Sequence, residues 1–165
     1  MKRLAMRISE MTRIIAMITM FAWALWFGGM MALIIFVIRL FNTSLDLGVQ
    51  AAPILFRSFA NYQLAIGLIA CGAGTFLCLL TRRSAHAAIS LLAIVVLAIA
   101  IFVRGWTFEM DALRVAGQSH GPRFQLLHHR SSMLYSTEAI LLFVAGIGWM
   151  ITFPPCRKDG EIAPA

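Results

Sequence analysis

The side chains with the most chemistry to offer lie close together in the last third of the chain. His128, Ser131, Tyr135 and Glu138 belong to the stretch that opens with Phe124 and leads into the final apolar run. On a helix their spacings of three, four and three put them on one face, and Leu142 and Trp149 continue that stripe as apolar contacts. A carboxylate carried into an apolar segment is costly, and an ionisable side chain there marks a site by default. Two readings of the stripe stand side by side. In one, Glu138 sits near the membrane interface and is neutralised by an arginine. In the other, His128, Ser131, Tyr135 and Glu138 form a polar pocket with Arg39 or Arg104 as counter-ion, because an unpaired charge at depth costs several kcal/mol.

Other chemistries fit less well. Ser131, Ser132 and Tyr135 have neither a GxSxG nor an SxxK context, and serines that open a helix usually cap it, so no catalytic nucleophile is assigned. Adjacent His128 and His129 point about 100° apart on a helix and are poorly placed to share an ion. His120 and His128 meet only if the intervening turn folds back, so the runner-up is a small transporter or metal-handling membrane subunit in which His120, His128 and Glu138 contact a cation, with His129 beside them. His86 stands about 30 Å away across the hydrocarbon. A b-type haem held by two histidines needs a facing pair at one depth, and no clear second histidine exists. No cofactor and no enzymatic activity are therefore expected. Cys71 and Cys78 lie seven apart in an apolar run and Cys156 near the end; no CxxC or CxxCH occurs, which leaves thiol redox chemistry and covalent haem without a motif.

The elements that must carry the stripe follow from composition. Of 165 residues, 61% are hydrophobic and only 13% charged, about half the charged share of a soluble domain. Mean hydropathy is +0.85. The apolar residues gather into runs long enough to cross a bilayer, which needs about 20 residues each. The class is an all-α polytopic membrane protein of one domain, 1–165. Its four transmembrane helices, at about 14–38, 58–81, 85–103 and 132–153, form an antiparallel bundle. The basic start and Ala22-Trp-Ala24 resemble a signal peptide, but the apolar run continues to Ile38, so an uncleaved anchor is the reading.

Between the first two spans, residues 39–57 are too apolar for a solvated loop and read as a short interfacial helix that ends or bends before Pro53. Helical spacing continues past the third span through Phe102, Trp106, Glu109, Leu113 and Ala116, with Gly117 as C-cap and Pro122 opening the next helix. The last two spans thus form an extended hairpin reaching about 2–3 turns beyond the hydrocarbon. Phe124 and Leu127 are expected to pack on Trp106 and Leu113. Pro154-Pro155 ends the last helix, and 156–165 reads as a disordered tail. The small-residue patches Ala24-xxx-Gly28 and Ala70-xxx-Gly74 suit close helix packing, within the bundle or in a homo-oligomer or membrane complex.

Net charge is +7. The basic residues sit mostly at the ends of apolar runs, facing lipid headgroups, and form no contiguous nucleic-acid face. Lys2, Arg3, Arg7, Arg13, Arg82, Arg83, Arg157 and Lys158 share one side; Arg39, Arg57, Arg104, Arg114, Arg123 and Arg130 share the other, on longer loops. That density bias puts both termini in the cytoplasm.

Three motifs carry a family resemblance: Leu25-Trp26-Phe27-Gly28-Gly29; Leu47-Gly48-Val49-Gln50 with Ile54-Leu55-Phe56; and Phe124-x-x-Leu127-His128-x-x-Ser131. In these the chain resembles the bacterial relatives of eukaryotic transmembrane protein 205, from the first span to the fourth. The charged segment around Glu109-Met-Asp111 matches that family only loosely. The resemblance implies a four-helix protein of a bacterial inner membrane, without established enzymatic activity and associated with drug or stress tolerance.

Overall fold

The computed structural model describes residues 2–152; the expectations for Pro154, Pro155, Cys156 and the tail lie outside the described residues. Four helices account for nearly all of them: α1 (Lys2–Thr43), α2 (Leu45–Thr81), α3 (Ser84–Val115) and α4 (Pro122–Thr152). All four are long and apolar enough to cross a membrane, and the chain is an all-α four-helix membrane bundle. The best window of α4 has a mean hydropathy of 1.6 against 2.8 for α3, which is the cost of carrying the polar stripe.

The segment 39–57 is not a separate interfacial helix. One residue, Ser44, interrupts the helix, and both neighbours run on through the apolar stretch. Ser44 adopts extended geometry (φ −160°, ψ 129°) and its hydroxyl accepts the Leu47 N–H at 3.4 Å. Asp46 adds a negative charge to the first turn of α2, where the helix dipole favours it. Pro53 lies inside α2, so one backbone hydrogen bond is missing there without ending the helix. The expected end or bend before Pro53 does not occur, and the break falls instead at the serine cap.

The far hairpin follows its sequence. α3 continues to Val115, and Gly117 (φ +72°) takes the left-handed conformation that closes it. The Gln118 N–H donates to the Leu113 carbonyl at 2.8 Å and the Gly117 N–H to the Arg114 carbonyl at 3.0 Å, the paired bonds of a Schellman motif. Of the four residues expected to pack in this hairpin, Leu127 is buried while Trp106, Leu113 and Phe124 are half-buried. Charged side chains also bridge the two helices. Arg123 meets Glu109 at 2.7 Å, and the Arg114 guanidinium lies 5.0 Å from the Phe124 ring centre.

Neighbours in sequence are neighbours in space: α1 packs on α2, α2 on α3 and α3 on α4, while α1 and α4 close the ring along the thinnest seam. Lipid is as apolar as leucine, so this packing depends on close fit and on internal hydrogen bonds more than on hydrophobic burial. Gly146 makes the seam possible. A Cβ there would run into the ring of Trp23, whose indole N–H donates to the Leu142 carbonyl at 2.8 Å. Gly67 of α2 likewise lets Trp26 and Leu97 meet in the main core, alongside Val96, Ala100 and Leu142. Ala70 and Gly74 are buried as a packing pair. Ala24 and Gly28 point out of the bundle.

Candidate buried polar site

On α4 the inward face is Leu127, Ser131, Glu138, Leu142, Ala145, Gly146 and Trp149, with Tyr135 half-buried beside it. The stripe from Ser131 through Tyr135 to Glu138 and on to Trp149 therefore enters the bundle as its spacing required. His128 does not. It is exposed, its ring stacks on Phe124 (centres 6.2 Å apart, planes 8°), and Leu127 occupies the buried position at that turn. Only the His128 backbone serves the stripe: its carbonyl accepts the hydroxyls of Ser131 and Ser132, both at 2.9 Å.

Among the described residues Glu138 is the best-buried acid, with 0% of its surface exposed. Its counter-ion is neither Arg39 nor Arg104. Arg39 is exposed on α1, and the Arg104 Nε–H donates to Asn61 Oδ1 at 3.3 Å while its guanidinium covers the Phe108 ring. The ion pairs among the described residues join Arg57 and Arg114 to Asp111 and Arg123 to Glu109, none of them with Glu138. The partner is an amide: Gln63 Nε2 donates to Glu138 Oε1. Gln63 is itself 2% exposed, and it reaches Glu138 across the bundle diagonal, from α2 to α4. A buried amide satisfies part of the carboxyl without the desolvation cost of a second charge.

Gln63 was missed because the second span was judged by its small residues. Its signal was nonetheless present: Asn61 and Gln63 are the only amides of the uncharged run 58–81, and a buried amide needs a partner on another helix.

Three more groups complete the site. Phe56 and Phe59 of α2 pack on the Tyr135 ring, with centres 5.6 and 6.5 Å away. The Tyr135 hydroxyl lies beside Thr107 and Glu138, yet no hydrogen bond joins it to either. Thr107 is buried and spends its proton on the Val103 carbonyl at 3.0 Å, so its oxygen can still accept. Glu138 Oε2 is also buried without a partner. The site thus holds a carboxyl oxygen and a phenol hydroxyl that are unsatisfied, next to a threonine with acceptor capacity. A carboxylate with one donor and no cation is the costly form in such surroundings. A proton on Oε2 would remove that cost and supply a donor for Tyr135, whose own proton can go to Thr107.

The metal reading does not gain from this geometry. His120 and His128 are exposed and Glu138 is enclosed, and no group of three or more His, Cys, Asp or Glu comes together among the described residues. His86 belongs to the opposite end, where its Nδ1 lies 2.7 Å from Thr81 Oγ1 and its ring packs on Trp149. No family model matches the chain, and neither the curated proteins nor the solved structures contain a match.

Proposed function

We propose that this is a non-enzymatic, multi-pass protein of a bacterial inner membrane that takes up and releases a proton at Glu138. One observation carries the reading: a fully buried carboxyl with a single amide donor, a bare Oε2 and, among the described residues, no cation paired with it. Structural carboxylates inside membranes are usually matched by a cation, whereas one left to an amide gains most from a proton. Because the Gln63–Glu138 bond ties diagonal helices, a change in the charge of Glu138 acts directly on the α2–α4 contact. The resemblance to the transmembrane protein 205-like family supports the non-enzymatic assignment and adds stress or drug tolerance as its setting. The arginine and lysine distribution supports cytoplasmic termini, and the outward Ala24 and Gly28 offer a small-residue face for a second copy.

Infrared difference spectroscopy of the reconstituted protein tests the proton site. The expected result is a carboxylic-acid C=O band that titrates with pH and is missing from Glu138→Gln. If wild type and variant give the same pH difference spectrum, Glu138 exchanges no proton and the reading fails.

A further inference from the structure

Two arginines flank the membrane spans at the Gly117 end, one on each of two adjacent helices. Arg57 immediately precedes the second apolar run and Arg104 immediately follows the third. The antiparallel register of α2 and α3 brings them to one aromatic ring. The guanidinium carbons of Arg57 and Arg104 lie 5.2 and 4.8 Å from the centre of Phe108, hence within about 10 Å of each other. Like charges held that close on a shared platform call for an anion between or above them.

The protein supplies little of it. Asp111 is bonded to Arg114 at 2.7 Å and reaches Arg57 Nε only at 3.5 Å. Among the described residues Arg104 pairs with no acid; its Nε–H donates to Asn61 Oδ1 at 3.3 Å, a bond that leaves its terminal nitrogens unused. Three arginines against one aspartate leave this corner with a surplus of two positive charges. Immediately beyond it runs a groove of about 350 Å³ between Pro53, Ile54 and Ser58 of α2 and Asp111, Arg114 and Val115 of α3.

We propose that Arg57, Arg104 and Phe108 form a seat for the phosphate of an anionic glycerophospholipid. Its polar alcohol lies in the groove by Ser58 and Asp111. A phosphodiester suits the site on three counts. Its oxygens match the planar guanidinium fork. The two arginines stand where the apolar runs of α2 and α3 end, which is headgroup depth. The surface of α3 immediately below is strongly exposed and apolar, through Ile101 and Phe102, and accepts acyl chains. The site is separate from Glu138: Arg104 turns to Asn61 and Phe108 on the outside of the contact that Gln63 occupies from within.

The test is thermal unfolding of the full chain in neutral detergent micelles, titrated with phosphatidylglycerol, phosphatidylcholine or inorganic phosphate. Phosphatidylglycerol should raise the midpoint, and the other two should not. Arg104→Gln should raise the half-saturating phosphatidylglycerol concentration about ten-fold, as loss of a charge-assisted contact requires, with Arg104→Lys in between. Arg57→Gln, more exposed and safer for folding, should shift it in the same direction, whereas Arg39→Gln on α1 should titrate like wild type. The proposal is overturned if Arg104→Gln and Arg57→Gln respond as wild type does, or if phosphatidylglycerol has no effect on wild type. It is equally overturned if inorganic phosphate alone reproduces the stabilisation, which would make this a soluble-anion site.

Discussion

Replacing Gln63 with leucine is the sharpest probe of the buried site, because it removes the one donor that Glu138 has. The amide is 2% exposed and its carboxyl partner 0%, so no solvent is positioned to replace the bond. Interhelical hydrogen bonds in membranes contribute about 0.6 kcal/mol on average and up to about 1.7. Leaving the surviving polar partner unsatisfied costs a further ~1–3 kcal/mol. Oε2 is already without a partner, so Gln63→Leu strands both oxygens, and a total near 2–3 kcal/mol is reasonable. For a chain of this length that lowers the unfolding midpoint by about 5–10 °C. Glu138→Leu alone should cost less, since the orphan it leaves is a neutral amide. The double variant, with leucine at both positions, should recover at least about 1 kcal/mol relative to the sum of the two, because replacing both partners by apolar groups removes the stranded atoms. Glu138→Gln preserves shape and hydrogen bonding and should fall within about 1 kcal/mol of wild type. Circular dichroism melts in one detergent supply all four values. Additive costs in the double variant would mean that Gln63 and Glu138 do not depend on each other, and the diagonal bond would be refuted.

Three further outcomes test the frame around the site. Gly146→Ala forces a Cβ into the Trp23 ring and should cost about 1–3 kcal/mol, whereas Gly28→Ala, with no atom within 4 Å, should leave the monomer melt unchanged. Arg123→Gln removes an ion pair whose side chains are 60% and 39% exposed, so its melt should stay within about 1 kcal/mol of wild type. Reporter fusions at Gly117 and at the C-terminus should report opposite sides of the membrane; two reports from the same side would contradict four spans with both termini together.

Periodicity explains what the sequence made legible. Helical spacing placed Ser131, Tyr135 and Glu138 on the buried face of α4 and carried α3 out to Gly117, because both are properties of one helix. It put His128 on the wrong side of the boundary, since the i, i+3 rule defines a stripe but not its end. Here Leu127, one position away, won the last buried place. The partner of Glu138 was harder. Arginines at span ends offered an electrostatic partner by sign and depth, but helix rotation decides which side chains point inward. Arg104 faces Asn61 and Phe108, and Gln63 faces the core. Pairing across a diagonal depends on all four helix rotations at once, and no local pattern encodes that.

The interior is also layered in a way that bears on how a proton would reach Glu138. Towards the Gly117 end the inward positions include Tyr135, Thr107 and Ser131, each carrying a hydroxyl. Towards the Arg82 end the next inward positions are Trp26, Val96, Leu97 and Leu142, packed in a largely apolar cluster that also holds the Cys71 thiol and no carboxyl or hydroxyl among its buried members. Polar side chains return only beyond it, at Thr19, Ser90 and His86. A proton moves along hydroxyls and carboxyls but not through close-packed hydrocarbon, where water has neither room nor partners. On the proton-site reading, Glu138 therefore communicates with the Gly117 side through Tyr135 and Thr107, and the cluster around Trp26 insulates it from the other. Transfer across the whole membrane would require that cluster to open, whereas sensing acidity on the Gly117 side requires no such motion. The packing of Trp26 against Gly67 and Leu97 thus favours a one-sided proton site over a through-going path.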